Sequence, residues 1–392
     1  MYEIINCHTH IFTLSHVPNH FVRGLVKLAR GRISNKLLQY LLSAIIPIDN
    51  ADILDRYAKL IKVGGNKSQR SVFKELRQFY PANTKFVVVS VDMDFMGAGK
   101  ARQNFQSQLD ELAAIKSDPE LGSKILPFIC ADPRRENLLS MVKKYIEEHH
   151  FAGIKLYPAM GYYPFDDRLD DVYRYAIKNN IPLISHCTPN GVFYLGTIRK
   201  NWDIKDPGNK IFYNGQVFKS WYTNPITGKT KKKSTIIFRR KKKRILCTRF
   251  SHPDNYKILL EKYNGEFRNL KINLAHLGGE EELAKYLQYK GEPEKKAKTW
   301  YAIVKTLVAR YPNIYTDVSY TLANPEFVPV INIGLLEDPS TRQKVLFGSD
   351  YYMAQVEGDE YLFSMRLRHS LGEKKYKLIA NENPLPWLEN NH

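Results

Sequence analysis

Eight short apolar runs alternate with longer amphipathic patterns, and this alternation constrains the fold more than any other feature of the sequence. Each run is rich in apolar and β-branched residues and is bounded by Gly, Pro or Asp, which is typical of buried strands. Strands that alternate with helices form a parallel sheet, and eight such units favour a closed barrel over an open sheet. The eight predicted strands lie at 3–7, 85–91, 125–129, 152–156, 181–185, 270–275, 313–317 and 344–347.

Helical patterns fill the connections between these runs. A length of 392 residues suits a single α/β barrel as well as two domains. We therefore predict the α/β fold class, with one (β/α)8 TIM-barrel domain over residues 1–392. The predicted helices lie at 106–117, 137–148, 170–179, 255–263, 280–289 and 299–311.

Two segments interrupt the repeat of strands and helices. Residues 12–80 form a largely helical excursion after the first strand, which we expect to be a cap or a contact in a homo-oligomer. Residues 192–250 form an insert between strands 5 and 6, with turn signals at Asn214-Gly215 and at 224–228. We predict that this insert is a β-rich flap over the barrel mouth.

The formal charge of +19 is concentrated in this same insert. Residues 191–250 contain sixteen Lys and Arg against Asp203 and Asp206, so this segment carries +14 of the total. Ten of the basic residues lie in 229–244, near aromatic side chains, and could bind nucleic acid or another polyanion. A solvated flap, or a lid over an anionic substrate, is the favoured interpretation.

The sequence has no apolar stretch of about 20 residues, the length that a membrane span requires. Its first residues do not have the basic and then apolar pattern of a signal peptide. The four cysteines are scattered without a CxxC pair, which argues against a disulfide framework and a thiolate zinc site. We expect a cytoplasmic protein with no membrane partner.

Candidate metal ligands follow several of the predicted strands. His8 and His10 are separated by one residue at the end of the first run, so both rings can point to one face of a strand and reach one metal ion. The carboxyl ends of all barrel strands meet at one face, where active sites form. Four further residues at strand ends should therefore converge with the two histidines: Lys155, His186, His276 and Asp350.

These motifs together resemble the amidohydrolase superfamily, and in particular its branch of compact metal-dependent hydrolases, which also includes some decarboxylases. The resemblance covers most of the barrel. It is weaker in the insert and in the helical excursion. The motifs that carry it are INCHTHIF (5–12), GIKLYPAMGYYPFD (153–166), IPLISHCTPNG (181–191), INLAHLGG (272–279), LFGSDYYM (346–353) and ENPLPWL (382–388).

The resemblance implies a divalent metal ion, most simply Zn²⁺, held by His8, His10, His186 and Asp350. Such an ion lowers the pKa of bound water toward about 7, and Asp350 would accept the proton from that water. The implied reaction is hydrolysis of an amide, ester, lactone or cyclic C–N or C–O bond in a small substrate, with an anionic substrate as one option. The alternative is a non-redox decarboxylation that uses the same ligands.

The number of metal ions depends on two of these residues. With one ion, which we favour, His276 is a general acid or base, and Lys155 is an ammonium group that binds a substrate carboxylate. With two ions, Lys155 is carboxylated and bridges them, and His276 is a ligand. We also assign substrate contacts to Tyr157, Arg135 and Tyr351, although Arg135 could equally form an ion pair within its loop.

Overall fold

A computed structural model describes residues 2–21, 68–197, 244, 247–351 and 360–391, together with the backbone of 221–223 and 230–232. In this part of the chain, eight parallel strands form one sheet, and each strand pairs with the next along the sequence. This confirms the predicted α/β barrel. The strands are β1 (Ile5–Thr9), β2 (Lys85–Val89), β3 (Ile125–Cys130), β4 (Gly153–Leu156), β5 (Leu183–His186), β8 (Ile272–Ala275), β9 (Ile314–Asp317) and β10 (Val345–Leu346).

Backbone hydrogen bonds between the first and last strand regions close the barrel. The Cys7 N–H donates to the Phe347 carbonyl at 2.8 Å, and the His10 N–H donates to the Tyr351 carbonyl at 2.5 Å. An isolated parallel bridge joins Thr9 to Tyr351. The two ends of the sheet therefore meet beside the His8–His10 motif.

Helices follow the strands in most of the βα units that the structure describes. Two helices begin with a side-chain cap that the sequence encodes: Asn104 accepts from the Ser107 N–H, and Thr299 accepts from the Ala302 N–H. The helices are α1 (Gln69–Arg77), α2 (Phe105–Lys116), α3 (Leu138–Lys143), α4 (Asp170–Lys178), α5 (Asp254–Gly265), α6 (Glu280–Gln288), α7 (Pro293–Ala297), α8 (Trp300–Arg310), α9 (Val328–Ile331), α10 (Glu360–Leu371), α11 (Glu373–Lys377) and α12 (Pro384–Leu388).

Two apolar clusters lie on opposite faces of the strands, as the two-residue period of a strand requires. Phe86 and Val88 belong to the large cluster that packs beneath the helices. Val87 and Val89 belong to a smaller cluster inside the barrel. Trp387 of α12 joins this inner cluster, so the C-terminal segment closes one end of the barrel.

The two interrupting segments are only partly described. The amphipathic stretches within 22–67 and the turn at 214–215 lie outside the described residues. In the insert, the antiparallel strands β6 (Trp221–Thr223) and β7 (Thr230–Lys232) pair on either side of the predicted turn at 224–228. None of the helices described here combines the length and the apolar character needed to cross a membrane.

Candidate active site

His8 stands at the centre of the site because both of its ring nitrogens face other polar side chains. It lies inside β1 and is fully buried. Its Nδ1 atom is 3.2 Å from Asp317 Oδ2 and 3.1 Å from Ser319 Oγ. Its Nε2 atom is 3.4 Å from Lys155 Nζ and 3.7 Å from Asp350 Oδ1. The ring of His8 therefore separates two groups of polar side chains.

His10 and Asp350 complete the group on the Nε2 side. His10 directly follows β1, and its Nε2 atom lies 3.3 Å from Asp350 Oδ1. Asp350 has a φ of 58°, in the left-handed region that non-glycine residues seldom adopt. Its N–H donates to the His8 carbonyl at 2.8 Å, which holds this conformation and keeps the carboxylate beside the two histidines.

Lys155 and Tyr157 line the neighbouring wall of the barrel. Lys155 lies on β4 with no exposed surface, and its burial lowers the pKa of the amine to about 8. Its Nζ atom lies 5.7 Å from the centre of the Tyr157 ring. The Tyr157 hydroxyl accepts a hydrogen bond from the Val192 N–H at 3.0 Å, so the loop after β5 packs against it.

His186 is the last residue of β5 and lies near the other histidines, with its ring 5.1 Å from that of His276. Its Nε2 atom lies 2.7 Å from the Asn190 carbonyl oxygen, which can only accept a hydrogen bond. Gly191 makes this close approach feasible, because an added Cβ would lie 2.8 Å from both His186 Cε1 and the Tyr157 hydroxyl oxygen. His186 therefore lies near the site, but among the described residues it does not belong to a set of potential metal-ligating atoms that includes His8.

The group on the Nδ1 side of His8 contains two residues that sequence reasoning missed, Asp317 and Ser319. The backbone N–H of His276 donates to Asp317 Oδ1 at 3.1 Å, and Asn273 Nδ2 donates to Asp317 Oδ2 at 2.8 Å. Ser319 Oγ lies 2.9 Å from His276 Nδ1. The available signal was the position of Asp317 at the end of the seventh apolar run, because its side chain had to lie at the same barrel face.

Negative charge in the site is carried by the carboxylates. Burial raises the pKa of Asp350, but its hydrogen bond from His10 and the nearby His276 and His8 outweigh burial, so its pKa lies below the ordinary value. Burial, helped by the charge of Lys155, lowers the pKa of His8 to about 3. Burial also lowers the pKa of His10. Neutral imidazoles therefore face anionic carboxylates at neutral pH.

Two sets of ligating atoms emerge, and in each set all the atoms lie within 4.8 Å of one another: His8 with His10 and Asp350, and His8 with His276 and Asp317. The first set offers two imidazoles and a carboxylate, which are donor types that Zn²⁺ prefers. His10 Nδ1 is buried and has no hydrogen-bond partner among the described residues. This donor set fits a divalent ion.

Two residues predicted to contact substrate point elsewhere. Arg135 donates from Nε to Asp92 Oδ2 at 2.8 Å and from a terminal nitrogen to Asp94 Oδ2 at 2.9 Å, which is the ion pair that the sequence left as its alternative. The Tyr351 ring lies 6.2 Å from that of Phe79, and its hydroxyl interacts with Glu75. Their roles in substrate binding remain predictions.

A second, partly buried charge cluster lies at the same end of the barrel, in the loops after β2 and β3. We call it the loop cluster; it consists of Asp92, Asp94, Asp132, Arg134 and Arg135. Arg134 donates from Nε to Asp132 Oδ1 at 2.8 Å and from a terminal nitrogen to Asp132 Oδ2 at 2.5 Å. Burial raises the pKa of Asp92 to about 7, although Arg135 opposes this shift.

Comparisons with known proteins agree with the barrel fold. An uncharacterised TIM-barrel protein of Bordetella bronchiseptica is similar over 98% of this chain and 97% of its own, with 14% identity and a TM-score of 0.51. A crystal structure described as an amidohydrolase II covers 98% of this chain and 99% of its own, with 12% identity and a TM-score of 0.51. At these identities the likeness shows the fold alone.

A search among curated proteins found no match. The sequence profile described as amidohydrolase matches residues 5–385, which include β1 and the segment that carries Asp350. The match therefore spans both ends of the closed barrel and the whole candidate site. This chain belongs to the amidohydrolase family.

Proposed function

We propose that this protein is a metal-dependent hydrolase that cleaves an amide, ester, lactone or cyclic C–N or C–O bond in a small, anionic substrate. The observation that carries the proposal is the buried set of His8, His10 and Asp350, whose ligating atoms lie within 4.8 Å of one another. Membership of the amidohydrolase family supports an enzyme with hydrolase-type chemistry. The identity of the substrate depends on the loops at the barrel mouth.

In this proposal His8, His10 and Asp350 hold one divalent ion, with Zn²⁺ as the first choice, and His186 is a fourth ligand. If His186 ligates through Nε2, its hydrogen bond to the Asn190 carbonyl must break. When bound, a divalent ion supplies Lewis acidity, which lowers the pKa of water and polarises a carbonyl group.

Side chains of the protein would then accept and transfer the proton. Asp350 is anionic at neutral pH, so its carboxylate can accept a proton from the attacking water and pass it to the leaving group. His276 shares a donor set with Asp317 rather than with His10. We favour one ion, with His276 as a general acid or base. In the alternative with two ions, Lys155 is carboxylated and bridges them.

Substrate binding is assigned first to Lys155 and Tyr157. Lys155 is fully buried beside the metal ligands, and with a pKa of about 8 it is mainly an ammonium group at neutral pH. A buried cation needs an anionic partner, and a substrate carboxylate could supply one. Tyr157 packs against both Lys155 and His186, with its ring 4.3 Å from that of His186.

Non-redox decarboxylation is the second candidate, supported by the position of His276 outside the donor set of His8, His10 and Asp350. A free acid or base is what protonation of the carbanion would require after loss of CO₂. The two reactions differ in their products. Release of CO₂ without uptake of water-derived oxygen identifies decarboxylation, whereas incorporation of ¹⁸O from labelled water identifies hydrolysis.

The first test is the metal content of protein purified without added metal or chelator. About one equivalent of Zn²⁺ per chain is expected, and it should be lost in the double variant His8→Ala/His10→Ala. Asp170→Asn is the matched control, because Asp170 is a buried carboxylate that pairs with Lys262 away from the site. It should keep its metal.

Two equivalents would overturn the one-ion arrangement and favour a carboxylated Lys155. Absence of metal even after reconstitution would overturn the proposed chemistry. A metal content that survives in the double variant would mean that the ion binds elsewhere.

The basic insert provides a separate candidate function, polyanion or nucleic-acid binding through 229–244. It is supported by the ten basic residues in that stretch, of which Lys231 and Lys232 lie on β7 opposite Tyr222 and Trp221. Binding through many phosphate contacts should weaken steeply between 50 and about 200 mM salt. A flat salt response with a single-stranded oligonucleotide would remove this candidate.

Replacing residues 210–245 with a short linker separates the insert from the metal site. We expect the shortened protein to lose any oligonucleotide binding and to keep its metal. Loss of metal would place the insert in the site itself.

A further inference from the structure

Asp317 and Ser319 have no part in the proposed chemistry, yet they contact two histidines of the site. Both are fully buried at the end of β9. Asp317 faces His8, and Ser319 lies between His8 and His276. A buried polar pair that joins two site residues has a role in fixing their geometry or their protons.

Hydrogen-bond donors surround the carboxyl group of Asp317. Three donors face its Oδ1 atom: the N–H groups of His276 and Ser319, each at 3.1 Å, and the Ser319 hydroxyl. Asn273 Nδ2 donates to its Oδ2 atom at 2.8 Å. These four donors occupy both oxygens of the carboxyl group, so Asp317 is placed to accept as an ionised carboxylate. An ionised carboxylate only accepts, so every group that faces it must donate.

This requirement fixes the proton on His8. Its Nδ1 atom lies 3.2 Å from Asp317 Oδ2 and must therefore carry hydrogen. Its Nε2 atom lies 3.4 Å from Lys155 Nζ, and an ammonium group has donors only, so Nε2 must accept and the ring is neutral. A neutral imidazole has one N–H, so Nε2 keeps its lone pair. That lone pair faces Asp350 and Lys155.

The same reasoning extends to His276 through Ser319. The hydroxyl of Ser319 has one proton and donates it to Asp317. Toward His276 Nδ1, at 2.9 Å, the hydroxyl oxygen can then only accept. The Ser319 carbonyl oxygen, 3.3 Å from the same Nδ1, is also an acceptor. In its neutral form His276 thus carries hydrogen on Nδ1 and leaves Nε2 as the basic nitrogen.

We propose that Asp317 and Ser319 are positioning residues that hold both His8 and His276 in the Nδ1–H tautomer, so that the Nε2 lone pair of each ring is available to the site. In the metal-free protein this inference stands alone; its consequence for catalysis rests on the proposed function. The second donor set, formed by His8, His276 and Asp317, is then a hydrogen-bonded support and holds no metal ion of its own.

The direct test is ¹⁵N NMR of the metal-free protein labelled at histidine, recorded at neutral pH. The ¹⁵N shifts of Nδ1 and Nε2 distinguish the two tautomers, and His8→Gln and His276→Gln assign the signals. We expect both rings of the wild-type protein to carry hydrogen on Nδ1. This measurement needs no substrate and no metal. A proton on Nε2 of His8 in the wild-type protein overturns the inference.

Variants then test the cause. In Asp317→Asn the amide can donate to His8 Nδ1, so His8 should move toward the Nε2–H tautomer, and Zn²⁺ affinity should fall about 10- to 100-fold. In Ser319→Ala, His276 should populate both tautomers. The backbone carbonyl of residue 319 remains as an acceptor for His276 Nδ1, so the Nδ1–H tautomer should not be lost completely. His8 should keep its Nδ1–H form in Ser319→Ala, since Asp317 remains.

Matched controls separate this role from a general loss of buried polar contacts. Asp170→Asn removes a buried carboxylate that pairs with Lys262, and Ser364→Ala removes a buried hydroxyl that contacts Tyr376. Neither control should change the ¹⁵N shifts of the two histidines or the Zn²⁺ affinity. Unchanged His8 tautomers in a folded Asp317→Asn protein would contradict the inference, whereas a wild-type protein that binds no Zn²⁺ would contradict only the proposed function.

Discussion

Two buried charge clusters lie at the same end of this barrel, and they are neutralised in different ways. In the loop cluster, the carboxylates of Asp92 and Asp132 are each paired with an arginine within 2.8 Å. In the histidine site, the carboxylates of Asp317 and Asp350 face neutral imidazoles and one lysine whose pKa has fallen to about 8. The arginines of the loop cluster neutralise its carboxylates, whereas the carboxylates of the histidine site can still bind a metal cation.

This difference separates a cluster that stabilises the fold from a cluster that is arranged for a ligand. Arginine is always charged and locks a carboxylate in place with two hydrogen bonds. A neutral histidine keeps a lone pair for a metal ion. The predictions that follow test whether stability and metal binding divide between the two clusters in this way.

The largest effect is expected at Asp350. Asp350→Asn keeps the shape of the side chain but removes a charged ligand and the proton acceptor, so turnover should fall by about 10³-fold or more. The measurement is the initial rate on whichever ester, lactone or amide the wild-type protein hydrolyses, together with a thermal melt to show that the fold persists. Retained activity in the folded variant would rule out the assigned role.

Arg134→Ala should lower the free energy of unfolding by about 3–5 kcal/mol, because it leaves Asp132 buried without its cation. Arg168 provides a control in the same Asp-x-Arg arrangement: it also binds its aspartate, Asp166, through two nitrogens, but its side chain is 58% exposed against 18% for Arg134. Arg168→Ala should cost at most about 1 kcal/mol.

Chemical denaturation measures the free energy of unfolding of both variants. Neither should change the metal content of the protein. Equal losses of stability in the two variants would contradict the view that burial makes the loop cluster a stabilising element.

Stabilisation by the metal should depend on the histidine site and not on the loop cluster. With free Zn²⁺ at 100 times its dissociation constant, the folded protein should gain about 2.7 kcal/mol over the chelator-treated protein. His10→Ala should gain much less, because it loses one ligand of the set. Arg134→Ala should show the full gain, although it starts from a lower stability. A wild-type stability that is unaffected by chelator would argue against a metal ion at this site.

The smallest net effect concerns pH, because the contributions of the two clusters should act in opposite directions and largely cancel. Burial raises the pKa of Asp92 to about 7 from 3.8, so the folded state binds this proton more readily than the unfolded state. The contribution to stability is present below pH 3.8 and is lost as the pH rises through about 7. In that window the slope is at most about 1.4 kcal/mol per pH unit.

The pKa of His8 is lowered to about 3 from 6.5, so its contribution is present above pH 6.5 and is lost as the pH falls. Unfolding of the chelator-treated protein across pH 4–7 should show both effects. Asp92→Asn should remove only the part that favours low pH. The same pH profile in this variant and in the wild-type protein would contradict the assignment to Asp92.

The fold was predictable because each strand is a continuous apolar run, and all eight predicted runs overlap observed strands. The strand boundaries were less certain. The first strand, β1, covers Ile5–Thr9 rather than 3–7, because apolar content alone does not locate the first hydrogen bond of the sheet. The structure brings the ligating atoms of His8, His10 and Asp350 within 4.8 Å of one another, because barrel topology fixes which strand ends meet.

The rest of the site depends on details that a strand pattern does not contain. Asp317 was overlooked because an aspartate after an apolar run is also a common turn residue. The side chain of Tyr351 lies against Phe79, as expected for the residue next to Asp350 when neighbouring side chains diverge. The contact between His186 and the Asn190 carbonyl depends on a loop conformation that Gly191 permits.

The closure of the barrel between β1 and β10 also has a consequence for the order of folding. His8 and Asp350 come from opposite ends of the chain and are joined by the hydrogen bond from the Asp350 N–H to the His8 carbonyl. Contact between such distant segments closes a long loop, which costs chain entropy unless the intervening chain is already ordered. In the proposed site, metal capture would therefore depend on a finished barrel, because a partly synthesised chain that has not reached Asp350 lacks one of the proposed ligands.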